Sequence, residues 1–493
     1  MAQIKKLAKQ TAIYGIPSIV GRFLNFLLVP LYTYTFAPEA YGIVTEFYTY
    51  TALLMVLLTY GMETTFFRYV HKCEDRGLVY STGVWSLFFT SSCFFLLAFL
   101  LKDRIGTALG YPYTADYVLW FALILVADVM AALPFCLLRE QNKAFRFALL
   151  KTVNITVNIG FNLFFILFCP MWLEAHPDSI LRHIYVADLG VGYIFISNLI
   201  ASLVTMLLLW PEWWQLRFRF DRRLWKSMMG YALPIMIWGL AGIVDSTFDR
   251  LLIRYLTPDT QVALAQVGIY GACYKLSIIM TLFVQAFRFA AEPFFFKQAA
   301  HADARETYAA VMKYFVITCA LIYMACVLFL DQILYFIGAD YREGRGVVPV
   351  LLMAQFFLGI FYNLSVWYKV MDRTRVGMYI SLIGAMLNLS LNFLLIPYFG
   401  YVGAAWTALT SYVVMTLISY IWGQKCYKVP YNVLSIGAYM LAAVLLGGLG
   451  VVLPFSRTWQ GIAFGLLCLI GFSAYVLYRE KALRQMFLKI LRR

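Results

Sequence analysis

Charged residues are scarce in this 493-residue chain, where they make up 13% of the sequence. A typical soluble domain has about 25%. Polar intervals are also short, the longest lying near residues 68–76, 169–187, 211–226 and 297–306. None of them is long enough to bury a core of its own. A soluble enzyme domain and a disordered tail are therefore excluded, and the function has to be carried by the apolar part of the chain.

Metal-ligand and catalytic patterns are absent as well. The four histidines fall in connecting segments without ligand spacing, and the nine cysteines lie mostly in apolar runs with no CxxC pair. We interpret the cysteines as small core residues and expect no metal site. The sequence has no nucleophile with a matching base and no phosphate-cradling glycine loop. We expect no catalytic residue, and no cofactor other than a coupling ion, H⁺ or Na⁺.

Apolar residues dominate, at 62% of the chain. They form fourteen segments long enough to cross a bilayer, since a crossing helix needs about 20 residues. The segments are 11–35, 41–62, 80–101, 116–138, 146–168, 187–210, 227–249, 264–288, 310–330, 347–368, 376–396, 401–422, 431–453 and 459–478. The first is too long for a cleavable signal and contains Arg22. The sequence therefore predicts an all-α polytopic membrane protein with about fourteen transmembrane helices.

The positions of lysine and arginine predict the topology. Of the 40 such residues, 29 fall in or beside one set of alternate connections, 8 fall in the other set and 3 lie deeper inside the apolar segments. Because cytoplasmic loops are enriched in these residues, both termini are predicted to be cytoplasmic. The net charge of +15 is thus mainly a topology signal, and nucleic acid is not expected as a partner.

An internal repeat predicts the domain organisation. Tyr14 to Pro17 in the first segment is echoed by Tyr231 to Pro234 in the seventh, and the fifth and eleventh segments carry similar asparagine pairs. Each copy contains six helices, an even number, so both copies insert into the membrane with the same orientation. We therefore expect two parallel, MATE-like six-helix bundles that face a shared cavity. The expected domains are 1–210, a cytoplasmic linker 211–226, 227–424, and two extra helices with a basic tail over 425–493.

The repeated residues have two interpretations. Pro17 and Pro234 either kink their helices or serve as paired hinges. For the asparagine pairs we prefer interhelical hydrogen bonding, which contributes about 0.6–2 kcal/mol per contact. The pairs are Asn158 with Asn162 and Asn388 with Asn392.

Three bases lie inside apolar segments: Arg22, Lys151 and Lys275. Each costs roughly 2.5–3.5 kcal/mol on insertion scales, and such a cost needs compensation by a partner, water or a ligand. We name them as candidate substrate-binding residues together with Arg288. Lys151 could instead extend to the interface from its helix end, and Arg288 could belong to a solvated cytoplasmic cluster. Deep cations favour an anionic substrate such as a phosphate or pyrophosphate.

Four acidic residues lie in or at the ends of these segments: Glu46, Asp128, Asp245 and Asp249. Each is a candidate counter-ion for a buried base or a site for a coupling proton or cation. For Asp249, pairing with the adjacent Arg250 at the outer end of the seventh segment is the simpler interpretation. The sequence alone does not choose between these roles.

Several short motifs, taken in order, resemble those of one transporter family. They are the basic tail before Tyr14 to Pro17, Ala37-Pro38-Glu39-Ala40-Tyr41-Gly42, Asp249-Arg250 followed by Val267-Gly268-Ile269-Tyr270, Ala291-Glu292-Pro293-Phe294, and Gly400-Tyr401-Val402-Gly403. Over about residues 1–420 the chain resembles the polysaccharide transporter (Wzx-type flippase) family of the multidrug/oligosaccharidyl-lipid/polysaccharide exporter superfamily.

The resemblance implies a fourteen-helix bacterial inner-membrane protein that moves undecaprenyl-pyrophosphate-linked oligosaccharides between leaflets for surface polysaccharide (O-antigen, lipopolysaccharide) biosynthesis. It implies a cationic central cavity, to which Arg22 and Lys275 would belong. The expected partners are the lipid-linked oligosaccharide, membrane lipids and glycan polymerase machinery. A lipid II flippase and a cation-coupled drug antiporter remain alternatives, whereas a glycan polymerase is disfavoured because the outward loop at 169–187 is short.

Overall fold

The computed structural model describes residues 20–21, 23–110, 114–183, 185–299, 301–371, 373–452, 459–480 and 484–485. Within these ranges the regular structure is entirely helical, and eleven helices are long and apolar enough to cross a membrane. The prediction of an all-α polytopic membrane protein is confirmed. The number of crossings and the side on which the termini lie stay predictions.

The chain divides into two compact units, 1–268 and 269–493. The boundary falls inside a helix, after the first helix of the second sequence repeat. The domain boundaries inferred from the sequence repeat stay a prediction. A repeat reports duplicated sequence, whereas a compact unit reports packing, and the two can divide a chain at different residues.

The first unit consists of long apolar helices joined by short ones. In chain order they are α1 (Leu28–Thr35), α2 (Pro38–Thr59), α3 (Met62–Val70), α4 (Arg76–Leu109), α5 (Thr114–Glu140), α6 (Ala144–Leu163), α7 (Cys169–Ala175), α8 (Gly192–Leu208), α9 (Trp210–Trp213), α10 (Arg222–Leu256) and the first part of α11 (Thr260–Leu276). A π-helical turn, Phe164–Phe168, joins α6 to α7, and two 3₁₀ turns precede α8. Helix α5 is the most buried of the membrane-spanning helices in this unit.

The second unit continues from α11. Its helices are α12 (Ile278–Gln298), α13 (Ala304–Leu328), α14 (Leu330–Ile333), α15 (Val347–Leu364), α16 (Val366–Val370), α17 (Thr374–Cys426), α18 (Val433–Val452) and α19 (Trp459–Arg479). The end of α19 is fixed to this unit by Glu480, which accepts hydrogen bonds from Lys313 at 2.6 Å and from Tyr439 at 3.0 Å. The two extra C-terminal helices are therefore packed parts of the unit.

Three apolar segments differ from their expected form. The segment 264–288 is two helices, because the chain makes a turn at Ser277, whose hydroxyl donates to the Tyr274 carbonyl at 2.7 Å. The segments 376–396 and 401–422 belong to one long stretch, α17, that breaks at Gly400. Gly400 has φ 55°, a left-handed conformation that only glycine adopts readily.

Local sequence signals account for several helix boundaries. Asp75 and Asp221 cap α4 and α10, since their carboxylates accept from the Leu78 and Leu224 amides at 3.1 and 2.9 Å. Such caps satisfy amides that have no partner within the helix, a contribution of about 1 kcal/mol each. The turn between α2 and α3 has positive φ at Tyr60 and Gly61. This turn lets the helical chain continue past residue 59.

Two glycines from the motifs that resemble the transporter family, Gly42 and Gly268, lie against backbone atoms of the opposite segment. A Cβ atom on Gly42 would collide with the Leu264 carbonyl oxygen, and one on Gly268 would collide with the Pro38 carbonyl oxygen. The segments 38–42 and 264–268 therefore touch backbone to backbone, which only glycine permits. This contact gives a physical reason for the glycine that both motifs carry.

We expect Gly268→Ala to lower the stability of the protein by about 1–3 kcal/mol, because the added methyl overpacks a backbone contact. Thermal unfolding of the purified protein in detergent measures this change. Gly230→Ala is the matched control, since no atom lies within 4 Å of a Cβ at that position in α10. Equal melting temperatures for the two variants would contradict the close contact.

Candidate functional site

A charged cavity of about 300 Å³ lies inside the first unit, among helices that span the membrane. At roughly 30 Å³ for each water molecule, this space holds on the order of ten waters. Its charged lining comes from four side chains, Glu63, Asp128, Arg139 and Lys151. Their formal charges cancel. The cavity therefore places no net charge among the membrane-spanning helices, where an uncompensated charge is costly.

Asp128 is held in this cavity by a hydroxyl group. The Ser202 side chain of α8 donates to its Oδ1 at 2.8 Å. The same helix is fixed to α6 by Asn154, which donates to the Thr205 hydroxyl at 2.8 Å and to the Ala201 carbonyl at 3.1 Å. Side-chain hydrogen bonds thus join α8 to α5 at Asp128 and to α6 at Asn154.

Lys151 enters the same cavity from α6. Its Nζ atom lies 4.1 Å from the centre of the Phe135 ring, and it is close enough to Asp128 and Glu63 to interact with both electrostatically. A cation over an aromatic face is attracted by about 0.5–2 kcal/mol. The structure therefore brings together two predicted site residues, Lys151 and Asp128, that lie in different apolar segments.

Glu63 completes the cavity and is not among the residues predicted from the sequence. Hydropathy predicts an apolar segment that ends at residue 62, whereas helix α3 covers Met62–Val70. Its buried positions, 62, 65, 66, 69 and 70, follow a helical period. This periodicity is the signal that could have extended the helix and placed Glu63 on it.

The cavity has the groups needed to bind and pass on a proton. Two carboxylates flank one ammonium group, and waters of the cavity can connect them. An oxygen-rich site would also suit a hard cation such as Na⁺, but the Lys151 ammonium already lies in the same space. Among the described residues, no group of three or more His, Cys, Asp or Glu side chains is arranged to hold a metal ion.

Glu46 takes part in a different contact. It is fully buried and pairs with Arg254 at 3.3 Å, while Tyr50 donates to its other oxygen at 2.9 Å. Arg254 also donates to the Leu109 carbonyl at 3.1 Å, so one guanidinium joins α2, α10 and the end of α4. Arg254 lies beyond the predicted seventh segment, 227–249, because α10 continues to Leu256 and is buried from Asp249 to Arg254.

The other two acidic candidates lie one helical turn apart on α10. Asp249 is buried and accepts from the Arg250 amide at 2.8 Å and from the Arg250 side chain at 3.5 Å. Asp245 has one buried carboxylate oxygen without a hydrogen-bond partner in the described part of the chain. A buried carboxylate in this state is costly unless water, a proton or a cation reaches it.

The remaining predicted residues are dispersed. Lys275 is exposed in the last turn of α11, and Arg288 is exposed on α12 with its guanidinium carbon 4.8 Å from the centre of the Tyr362 ring. Pro234 lies inside α10, which remains helical through it. Arg22 and Pro17 lie outside the described residues.

Comparisons with known protein families give two matches. A sequence profile described as polysaccharide biosynthesis protein matches residues 7–299. A second profile, described as MatE, matches residues 246–394. A curated relative, Lsg locus putative protein 1 of Haemophilus influenzae, is 19% identical over 298 residues. That alignment covers 59% of this chain and 66% of the relative, slightly less than two thirds of the relative's length.

Solved structures with a similar fold are membrane transporters. The structure titled lipid II flippase MurJ, inward closed conformation, gives a TM-score of 0.69 at 13% identity, covering 94% of this chain and 98% of the other. An inward-facing multidrug resistance MATE family transporter gives 0.60 at 14% identity, covering 87% and 98%. At such low identity the likeness shows a shared fold.

We expect Asp128→Asn and Lys151→Gln to be coupled in a double-mutant cycle of stability. Removal of either charge leaves the other charges of the cavity uncompensated, whereas the double variant restores neutrality. The expected coupling is about 0.5–3 kcal/mol, measured by unfolding of the purified protein. As a control, Asp128→Asn and Arg104→Gln should be additive, because Arg104 does not line the cavity. Additivity of the first pair would contradict a shared site.

We also expect Arg254→Gln to destabilise the protein by about 3–5 kcal/mol, because it leaves the buried Glu46 carboxylate without its cation. Adding Glu46→Gln should recover part of that loss. The matched control is Arg217→Gln, whose partner Asp75 is 43% exposed and whose loss should cost less than about 1 kcal/mol. Chemical denaturation measures all three variants, and equal effects of Arg254→Gln and Arg217→Gln would exclude a tightly buried pair.

Proposed function

This chain belongs to the polysaccharide biosynthesis protein family, and from that premise we propose that it moves polyprenyl-pyrophosphate-linked oligosaccharides across the bacterial inner membrane by alternating access. The substrate would be presented on the cytoplasmic leaflet and released on the opposite one. The product would then be available for assembly of a surface polysaccharide such as an O-antigen.

The family match over residues 7–299 is the observation that carries this proposal. The transporter-like fold supports it, because related folds are found in a lipid II flippase and in multidrug transporters. Moving a lipid headgroup across a bilayer requires no covalent step. We therefore propose a transporter without enzymatic activity, whose work is to shelter a polar headgroup from hydrocarbon.

The proposed headgroup site uses the bases within apolar segments. A pyrophosphate carries several negative oxygens, and guanidinium and ammonium groups bind such oxygens through charge-assisted hydrogen bonds. Arg22, Lys275 and Arg288 are the residues that we propose for binding the pyrophosphate. The sugars would occupy hydrated space, while the polyprenyl chain would remain in lipid because hydrocarbon gains nothing from entering water.

The proposed coupling site is the cavity lined by Glu63, Asp128 and Lys151. Loading or releasing a proton there would change the charge balance among α3, α5 and α6, and so bias one arrangement of the helices over another. Pro17 and Pro234 are the proposed hinges. Asp245 is a second candidate for proton or cation binding, whereas Glu46 and Asp249 would act as counter-ions of neighbouring arginines.

Two other substrates follow from particular comparisons. The fold likeness to a lipid II flippase covers 94% of this chain, and a MatE profile matches residues 246–394. A lipid II flippase would use the same pyrophosphate-binding bases. A drug antiporter would instead depend on carboxylates, because its substrates are organic cations. Two observations separate these possibilities: which substrate competes for transport, and whether transport is lost on substitution of basic or of acidic residues.

We expect Arg22→Ala and Lys275→Ala each to reduce transport by at least about tenfold, since each removes a charge-assisted contact to the pyrophosphate. The measurement is the rate at which a fluorescent polyprenyl-pyrophosphate oligosaccharide in proteoliposomes becomes inaccessible to an impermeant modifying reagent. Arg104→Ala is the control, because Arg104 is an exposed residue of α4 outside the proposed site.

Full transport in both variants would contradict the assignment of the bases. Inhibition by excess lipid II but not by the oligosaccharide carrier would favour the lipid II alternative. Inhibition of transport by an organic cation, together with loss of transport in Asp128→Asn but not in Arg22→Ala or Lys275→Ala, would favour the antiporter.

A further inference from the structure

The segment that connects α8 to α10, residues 209–221, is docked along one face of α4. The Arg217 amide donates to the Ser81 hydroxyl at 2.8 Å, and the Asp221 amide donates to the Thr82 hydroxyl at 3.4 Å. The Trp85 indole in turn donates to the Arg217 carbonyl at 3.2 Å. Backbone groups of an irregular segment are thus satisfied by side chains of one helix, which fixes its position.

The beginning of this connecting segment is fixed as well. Glu212 is 1% exposed and accepts from Arg146 at 3.0 Å. Tyr80 donates to the Glu212 carbonyl at 3.3 Å, and Gln141 donates to the Gln215 side chain at 2.7 Å. The sequence predicts a cytoplasmic linker in this region, and the structure packs residues 209–221 against helices of the first unit.

A pocket of about 590 Å³ lies between this segment and the adjoining helix ends. Its polar and aromatic lining includes Arg76, Tyr80, Glu140, Trp214 and Arg217. The pocket lies at the N-terminal end of α4, where the Asp75 carboxylate caps the helix. Two guanidinium groups and one carboxylate line the pocket, and Asp75 lies beside Arg217, so the four charges cancel.

Both guanidinium groups are oriented by carboxylates. Arg217 Nη1 lies 3.0 Å from each oxygen of Asp75, and Arg76 Nη1 lies 2.8 Å from Glu140. Each guanidinium has five N–H donors, so donors remain for a ligand after these bonds are made. The side chains of Arg76 and Arg217 are 64% and 54% exposed, so a ligand can reach them.

Gly77 allows the Arg217 guanidinium to lie against α4. A Cβ atom at residue 77 would lie 2.9 Å from Cζ and 3.0 Å from Nε of Arg217. An alanine there would displace the guanidinium without changing any charge. The position of this group thus depends on a glycine, as well as on Asp75.

Large aromatic rings project from the same segment into the surroundings. Trp210, Trp214 and Phe218 are 59%, 74% and 90% exposed. The segment joins two apolar helices, so it lies at the level where a bilayer changes from hydrocarbon to headgroups. Tryptophan and arginine are favoured at that level, where rings contact chains and guanidinium groups contact phosphates.

We propose that this pocket binds the phosphate group of a membrane phospholipid in the leaflet on the arginine-rich side, which the sequence predicts to be cytoplasmic. Arg76 and Arg217 hold the phosphate, and Trp210, Trp214 and Phe218 contact the acyl chains. The bound lipid fixes the connecting segment to the membrane surface. This site is independent of the substrate that the protein transports.

Native mass spectrometry of the purified full-length protein tests this site. The probes are phosphatidylglycerol, diacylglycerol with the same chains, and inorganic phosphate. We expect the wild-type protein to retain phosphatidylglycerol and to retain neither of the others at the same concentration. Arg76→Gln combined with Arg217→Gln should reduce retention of phosphatidylglycerol by at least about tenfold, because charged hydrogen bonds are lost.

Two further variants separate the site from general charge and from folding. Arg219→Gln removes an exposed arginine of the same segment that does not line the pocket, and should leave retention unchanged. Gly77→Ala keeps every charge but displaces the Arg217 guanidinium, and should weaken retention even if the double variant does not fold. Equal retention of diacylglycerol, equal binding of free phosphate, or unchanged retention in Gly77→Ala would overturn the proposal.

Discussion

The structure depends on one constraint: a charge or a backbone polar group within a bilayer has to find its partner inside the protein. In the first unit this constraint produces two separate groups of ions. Glu46 and Arg254 form a buried pair that joins three helices, whereas Glu63, Asp128, Arg139 and Lys151 line a cavity with room for water. The same residue types thus form a dry contact in one place and a site open to water in another.

The difference between the two groups has functional meaning. A buried ion pair contributes little net stability, because desolvation offsets its attraction, but it strongly disfavours arrangements that separate the charges. The pair at Glu46 therefore specifies how α2 and α10 pack. The cavity at Asp128 and Lys151 has room for water, which would let its charges change protonation state without leaving an ion in hydrocarbon. Access to water therefore distinguishes the buried pair from the proposed coupling site.

Much of the fold could be read from the sequence. Hydropathy located the apolar helices, and the resemblance of short motifs indicated the family to which the chain belongs. The candidate site was only partly predictable. Asp128 and Lys151 were named because a charge in an apolar run is conspicuous by itself. Glu63 and Arg254 were missed because they lie where apolar segments end, and a hydropathy window cannot distinguish a helix end from a loop.

The sequence by itself determined that the chain is an all-α membrane protein and which ionisable residues interrupt its apolar runs, because both properties follow from the local cost of placing a side chain in hydrocarbon. Only the tertiary structure decided which of these residues meet. Ser202 reaches Asp128 and Gly42 meets Leu264 across long separations in the chain. The connecting segment lies on α4 through hydroxyl groups that have no sequence signature. Such contacts depend on helix packing, which no local pattern encodes.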